Sequence, residues 1–270
     1  MKILIIGAGK MGGAIIDGWL SKKLGYDVNI VEISLSRRNF LKKKYPDTTI
    51  DHNIPCKWKG DIILLATKPQ YFFEVVKKLN EKKINSRFVI SIMAGIKLKT
   101  IKSALHTETK FIRAMPNLPA SIGSGVTSLY SRDIEKKSEK MKVQILFKSL
   151  GSVFWIKNEK LFDPMTAIAG SGPAYFFLIF LIMQDTAIKL GLPKKIIKNL
   201  ILDIAKGAIE ISKAKKSFRK LIIDVASPGG TTEAALKVLE KEKPNLNTIL
   251  SKAILEAYKR SEKIGKNVTK

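Results

Sequence analysis

The chain begins with a short apolar run, Ile3 to Ile6, that leads directly into Gly7-Ala8-Gly9-Lys10-Met11-Gly12. It continues with Ala14, Ile15, Ile16, Trp19 and Leu20 at helical spacing. An unbroken apolar run of this kind fits a strand buried on both faces of a parallel sheet. Three glycines at this spacing carry meaning only with a strand before them and a helix after them, and both are present. The first allows the tight turn, the second lets a pyrophosphate approach the backbone, and the third lets helix and strand pack closely. A second strand, Val28 to Ile33, carries Glu32 twenty residues past Gly12, where a carboxylate can accept from a ribose 2′-hydroxyl. The start of the chain is thereby constrained to a dinucleotide-binding βαβ unit. Glu32 repels a 2′-phosphate and favours NADH, whereas Ser34, Arg37 and Arg38 close behind it could hold that phosphate, so NADH and NADPH both stay open.

The alternation continues. Asp61 to Ala66 reads as a strand, Gln70 to about Lys82 as a helix, Arg87 to Met93 as a strand, Leu98 to Leu105 as a helix, and Lys110 to Ala114 as a strand. Such a pattern implies right-handed crossovers, a parallel sheet, and ligands outside the carboxyl ends of its strands. Those ends carry Thr67-Lys68-Pro69, Ala94-Gly95 and Met115-Pro116-Asn117, which all face one crevice. Lys68 is a candidate cofactor or substrate group, and the Asn117 amide, both donor and acceptor, could hold a carboxamide. Gly125 to Tyr130 and Ser152 to Ile156, separated by a charged helical stretch from Asp133 to Leu150, read as antiparallel strands added at one edge. Lys157-Asn158-Glu159-Lys160 marks the domain boundary, giving residues 1–158 and 159–270.

Beyond Leu161 only helical patterns follow. Met165 to Met183 contains no charged residue, which raises the question of a membrane span. Gly170-Ser171-Gly172-Pro173 interrupts it, leaving a continuous apolar helix from about Ala174 to Met183. Its length of ~15 Å is half of a ~30 Å hydrocarbon core, so a buried helix is expected and no membrane partner. With Tyr175, Phe176, Phe177 and Phe180 it is apolar all round, which points to a subunit interface. Ile196, Ile197, Leu200, Ile201, Ile204, Ala205, Ala208 and Ile209 form an amphipathic core helix. Two more helices, about Thr232–Glu240 and Leu246–Ile264, flank a break near Pro244.

Between those helices lies Ser227-Pro228-Gly229-Gly230-Thr231-Thr232-Glu233. Pro228 biases Ser227 out of helix, the glycines accept unusual backbone angles, and the threonines open a helix. A ring of outward N–H groups at a helix N-terminus suits a carboxylate or phosphate, and the two hydroxyls add donors.

Composition narrows the classes. The net charge of +26, from 49 basic and 23 acidic residues, raises nucleic acid or an anionic surface as a partner. The lysines are spread along the chain in runs such as Lys42-Lys43-Lys44 and Lys215-Lys216, without basic-aromatic clustering, so a solvated surface is expected and no nucleic acid. Cys56 is the single cysteine, which rules out an intrachain disulfide and favours a reducing compartment. His52 and His106 stand apart without ligand spacing, so no metal is expected. The apolar run at the N-terminus is too short for a signal peptide.

The chain resembles the pyrroline-5-carboxylate reductases along nearly its whole length. The resemblance rests on Gly7-Ala8-Gly9-Lys10-Met11-Gly12, Ala66-Thr67-Lys68-Pro69, Ala94-Gly95 and Met115-Pro116-Asn117-Leu118-Pro119-Ala120. More specific are Gly170-Ser171-Gly172-Pro173-Ala174-Tyr175 and Asp224-Val225-Ala226-Ser227-Pro228-Gly229-Gly230-Thr231-Thr232, in that order. Thr67 replaces the usual valine and Leu118 the usual threonine. The resemblance implies an α/β fold: an N-terminal Rossmann-type, doubly wound, mostly parallel sheet followed by an all-α C-terminal dimerisation domain. It also implies reduction of 1-pyrroline-5-carboxylate to L-proline with NADPH or NADH, in the cytoplasm, by dimers often assembled into decamers. The cofactor residues it implies, with those read from the motifs, are Gly7 to Gly12, Glu32, Ser34, Asn53, Ala66 to Pro69, Ala94, Gly95 and Met115 to Asn117. Ser227, Gly229, Gly230, Thr231 and Thr232 would bind substrate, with Ser227 bracing the turn. Thr232 is the expected catalytic residue, a hydroxyl donor beside the imine nitrogen. The rival readings are another two-domain NAD(P)-dependent reductase of imines or hydroxy acids, and a basic nucleic-acid binder with a Rossmann core.

Overall fold

In the computed structural model, backbone placement is described for residues 1–268 except 23, 24, 106, 215 and 216. His106 and the Lys215-Lys216 run therefore lie outside the described residues. The first part of the chain folds as β1 (Lys2–Ile6), α1 (Lys10–Leu20), β2 (Asp27–Val31), α2 (Leu35–Lys44), β3 (Thr49–Asp51), β4 (Lys59–Leu65) and α3 (Phe72–Glu81). It continues with β5 (Asn85–Ser91), α4 (Leu98–Ala104), β6 (Lys110–Met115), β7 (Gly125–Tyr130), α5 (Lys137–Lys148) and β8 (Gly151–Trp155).

These strands form one sheet in the order β3-β2-β1-β4-β5-β6-β7-β8. The first six are parallel. Strand β7 runs antiparallel to β6, and β8 runs parallel to β7, so the two added strands oppose the rest, as the sequence led us to expect. Strand order reverses at β1 and β4, which opens a crevice at the carboxyl ends of these two strands. Alternate residues of β1 show why the sheet is apolar throughout. Ile3 and Ile5 pack with Ile15, Ile16 and Trp19 of α1 and with Leu146 and Phe147 of α5. Leu4 and Ile6 face the other way, toward Phe72, Val76 and Leu79 of α3 and Ile101 of α4. Helices thus cover both faces, the arrangement that keeps a parallel sheet dry.

One element and one boundary differ from the sequence reading. Strand β3, absent from that reading, has three residues, too few to show a period. Helix α5 starts at Lys137 rather than near Asp133, because the Asp133 carboxylate is held outside it, accepting from Phe111 N–H at 3.1 Å and Lys102 Nζ at 2.9 Å.

Among the described residues, the remainder is helical: α6 (Phe162–Met165), a π-turn (Thr166–Gly170), α7 (Gly172–Lys189), α8 (Lys194–Ala214), α9 (Phe218–Val225), α10 (Thr231–Lys241) and α11 (Leu246–Val268). Packing divides the chain into two units, residues 1–171 with 257–270, and residues 172–256. Within the first unit, Ser261 of α11 donates to Asp163 of α6 at 2.7 Å.

The expected break before the apolar helix is absent. Pro173 lies in the first turn of α7, where a missing N–H costs nothing, and the π-turn carries the helical path past Gly170 with Ser171 N–H donating to Thr166 C=O at 3.0 Å. Residues 159–189 form a helical stretch of 31 residues with mean hydropathy 1.8, long and apolar enough by length and composition to cross a membrane. The helix is also not buried within one chain. Phe176 and Phe177 are 62% and 57% exposed, and only 11% of its most apolar window is covered.

Candidate active site

The dinucleotide cradle is tested by what a side chain would meet at each glycine. At Gly7, with φ of +97°, a Cβ would lie 2.9 Å from the Ala66 carbonyl carbon and oxygen. At Gly12 a Cβ would collide with the Gly7 carbonyl oxygen, so the helix can sit this close to the turn only without a side chain. Gly9 is the opposite case: nothing lies within 4 Å of its Cβ position. This open space is at the N-cap of α1, whose first turn has no acidic residue and no side-chain cap. The first N–H groups of a helix lack intrahelical partners and carry the positive end of its dipole. The residues present therefore fit a pyrophosphate at Gly9 to Gly12.

Glu32 is buried, and both oxygens accept backbone N–H groups, from Ala8 at 2.8 Å and Ser34 at 2.9 Å. The carboxylate ties the end of β2 to the glycine turn while its remaining lone pairs stay available to a ribose hydroxyl. Arginine surrounds it. Arg37 donates to Ala8 C=O at 2.9 Å, and Arg38 donates to the carbonyls of Glu32 and Ile33 at 2.8 Å and lies 3.2 Å from His52 Nδ1. Ser34 caps α2, and its hydroxyl lies 3.0 Å from that of Ser36.

The remaining predicted cofactor residues follow neighbouring strands at the same end of the sheet: Asn53 after β3, Ala66 to Pro69 after β4, Ala94 and Gly95 after β5, and Met115 to Asn117 ending β6. Lys10, Asn53, Lys68 and Ala94 are exposed there. The Thr67 hydroxyl is buried without a hydrogen-bond partner. Asn117 differs from expectation. Its amide donates to Ala169 C=O at 2.9 Å and accepts from Val126 N–H at 2.8 Å, so it braces the β6 turn rather than offering a free carboxamide holder.

Behind this edge the buried Arg113 guanidinium meets Glu159 at 3.2 Å and lies 4.3 Å from the Phe162 ring centre. Burial pushes its pKa below the usual arginine range, with Glu159 opposing that shift. Glu159 also accepts from Leu98 N–H at 2.9 Å at the start of α4. Sequence reading missed this pair, since nothing in the spacing of residues 113 and 159 announces it.

In the second unit, the turn before α10 has the predicted shape, with Gly229 at φ +71° and Gly230 as N-cap. Fewer N–H groups face out than expected. Gly229 N–H donates to Glu233 Oε2 at 2.6 Å, and Gly230 N–H donates to Ser227 C=O at 3.0 Å. A Cβ on Gly230 would lie 2.7 Å from Ser227 Oγ, so Ser227 folds under the turn. The N–H and hydroxyl groups of Thr231 and Thr232, which open α10, are left as the donor set. The sequence signal for Glu233 was an acid at the third helical position, reaching back as in a capping box.

The family model described as pyrroline-5-carboxylate reductase dimerisation matches residues 159–264, and one described as NADP oxidoreductase, coenzyme F420-dependent, matches residues 2–95. The pyrroline-5-carboxylate reductase of Synechocystis is 34% identical over 97% of both chains, and that of Vibrio alginolyticus 33% identical over 98% of both. Among solved structures, the 1-pyrroline-5-carboxylate reductase of Streptococcus pyogenes superimposes with a TM-score of 0.84 at 30% identity, covering 97% of this chain and 98% of that one. The pyrroline carboxylate reductase of Plasmodium falciparum, solved with NADP bound, gives 0.83 at 27% identity over 98% of this chain and all of that one. A parallel sheet with a glycine cradle, a Gly-Gly-Thr-Thr turn and full-length likeness to these enzymes agree: the chain belongs to the pyrroline-5-carboxylate reductase family.

Proposed function

We infer that this chain reduces 1-pyrroline-5-carboxylate to L-proline with NAD(P)H, the last step of proline synthesis. The observation that carries the reading is the pairing, on one chain, of a glycine cradle open at Gly9 with a helix-opening Thr231-Thr232 turn. The cradle suits a dinucleotide and the turn suits a small carboxylate, the two binding needs of this reaction.

Gly7 to Gly12 would hold the pyrophosphate, Glu32 and Asn53 the adenosine ribose, and Ala66 to Pro69 with Ala94, Gly95, Met115 and Pro116 the remainder of the dinucleotide. Asn117 contributes by fixing the β6 turn. Bound NAD(P)H supplies the hydride. The N–H and hydroxyl groups of Thr231 and Thr232 hold the substrate carboxylate, while Ser227, Gly229 and Gly230 fix the shape of the turn. Reaction requires the imine carbon and hydride donor within roughly 3–3.5 Å, so a carboxylate grip contributes mainly by positioning. Thr232 Oγ1 donates a hydrogen bond to the imine nitrogen, or relays a water proton to it, as the C=N bond is reduced. Ser34, Arg37 and Arg38 surround Glu32 with cationic and hydroxyl groups, which supports use of NADPH as well as NADH.

The functional domains divide at 158/159, in line with the residues matched by the dimerisation model. Dimers form through the C-terminal helices, and five dimers assemble into a decamer; the exposed apolar α7 is then subunit interface rather than membrane span. The enzyme works in the cytoplasm without a nucleic-acid partner or a metal. The test is steady-state oxidation of NADH and NADPH, each with 1-pyrroline-5-carboxylate. Substrate-dependent oxidation of either supports the reading, and none with both overturns it.

A further inference from the structure

Helix α11 returns to the first unit, and near its end Ile264 and Gly265 meet the turn after β5. Gly95 in that turn is buried with φ of +78°, and a Cβ built on it would lie 2.8 Å from both Cα and N of Gly265 and 3.1 Å from the Ile264 carbonyl carbon. Backbone thus meets backbone, with no side chain between. The approach is less tight in the other direction: a Cβ on Gly265 would lie 3.4 Å from the Gly95 carbonyl oxygen and 3.6 Å from its Cα. Alanine at 265 would meet the turn at ordinary contact distance, while a longer side chain extended toward it would press against the Gly95 backbone. One turn earlier on the same helix, the 2.7 Å bond from Ser261 to Asp163 fixes the helix against α6. The helix end is therefore pinned both at its side and at its tip.

We propose that the tip of α11 acts as a clamp on the Ala94–Gly95 turn, making Gly265 a positioning residue for the dinucleotide. The proposal rests on the reading above that Ala94 and Gly95 border the cofactor. Exposed Ala94 presents this turn to the crevice, and the turn lies between β5 and α4, outside the hydrogen-bonded ladder of either element. A packed neighbour supplies that rigidity, and binding sites lose affinity when their supporting shell is loose. The C-terminal residues of the chain thereby govern how tightly the enzyme holds NAD(P)H, at a distance in sequence of 170 residues from the turn they touch.

The test uses the full chain and NADPH as probe, with dissociation constants from fluorescence titration beside steady-state constants and melting temperature. Gly265→Ala is expected to bind NADPH within about twofold of the parent. Gly265→Leu is expected to weaken NADPH binding about tenfold, equivalent to ~1.4 kcal/mol, and to raise the KM for NADPH without raising that for pyrroline-5-carboxylate. Lys263→Leu, on an exposed position of the same turn, controls for added apolar bulk. Ser261→Ala, which frees the helix without a clash, is expected to shift the NADPH constant in the same direction by a few fold, and it decides the matter if Gly265→Leu does not fold. Unchanged NADPH affinity in a folded Gly265→Leu, or in Ser261→Ala where it alone folds, overturns the clamp. Failure of the parent to bind NADPH overturns instead the cofactor reading on which it rests.

Discussion

Thr232 stands second in α10, two residues after a Gly230 whose own N–H is already spent, so its hydroxyl and N–H are among the few donors the turn still offers. Replacing it with alanine is expected to lower kcat by about 10–10³-fold, the range for losing one positioned donor, with NADPH affinity unchanged. Single-turnover and steady-state rates of Thr232→Ala decide this. A second residue makes a pH prediction. Lys110 at 2.6 Å and Arg87 at 3.1 Å hold the Glu139 carboxyl below the usual carboxylate range. A depressed folded pKa stabilises above the unfolded value of about 4.3 and is lost as pH falls through the folded value. Glu139→Gln is therefore expected to melt below the parent at neutral pH, with the gap closing in acid; equal melting temperatures at pH 7 would contradict the ion pair's role. Much at this scale was legible. The three cradle glycines and Glu32 announce themselves by spacing, because turn geometry demands them. The partners of Asn117 and the Arg113–Glu159 pair did not, since they lie far off in the chain and are set by tertiary placement, whereas Glu233 carried a local capping signal.

At the scale of elements, the strand–helix alternation was readable because buried parallel strands are continuously apolar and the helices between them are not. What failed was punctuation. Gly170-Ser171-Gly172-Pro173 looked like a stop, but a π-turn followed by a first-turn proline continues the helical path. Asp133 looked helical by composition, but its carboxylate is used by β6. The glycine turn and α1 behave as one element, since a side chain at 12 would strike the Gly7 carbonyl. Gly12→Ala is expected to cost about 1–3 kcal/mol of stability, as overpacking does, and to weaken NADPH binding at least tenfold. Denaturant unfolding and NADPH titration of the variant check both values.

At the scale of the whole molecule, α7 is the feature a single chain cannot explain. An apolar helix with Phe176, Phe177, Leu181 and Ile182 exposed needs a cover, and the matched dimerisation domain contains it. If Phe177 lies in that interface, Phe177→Glu buries an unpaired charge worth about 3–5 kcal/mol, which predicts at least a hundredfold weaker dimer by sedimentation. A dimer of parental strength would place the interface elsewhere. The sequence exposed this need for a partner, because a helix apolar on every side demands a cover on every side, and pointed to another subunit; it misplaced only where the helical path begins. Hydride transfer from a cradle-held dinucleotide to an imine carbon is read out by turning over pyrroline-5-carboxylate with C4-deuterated NADPH and NADH. Proline one mass unit heavier, with deuterium on the ring carbon that was double-bonded to nitrogen, is expected. Proline without deuterium from both stereochemically labelled forms of each cofactor, or no proline at all, would contradict it.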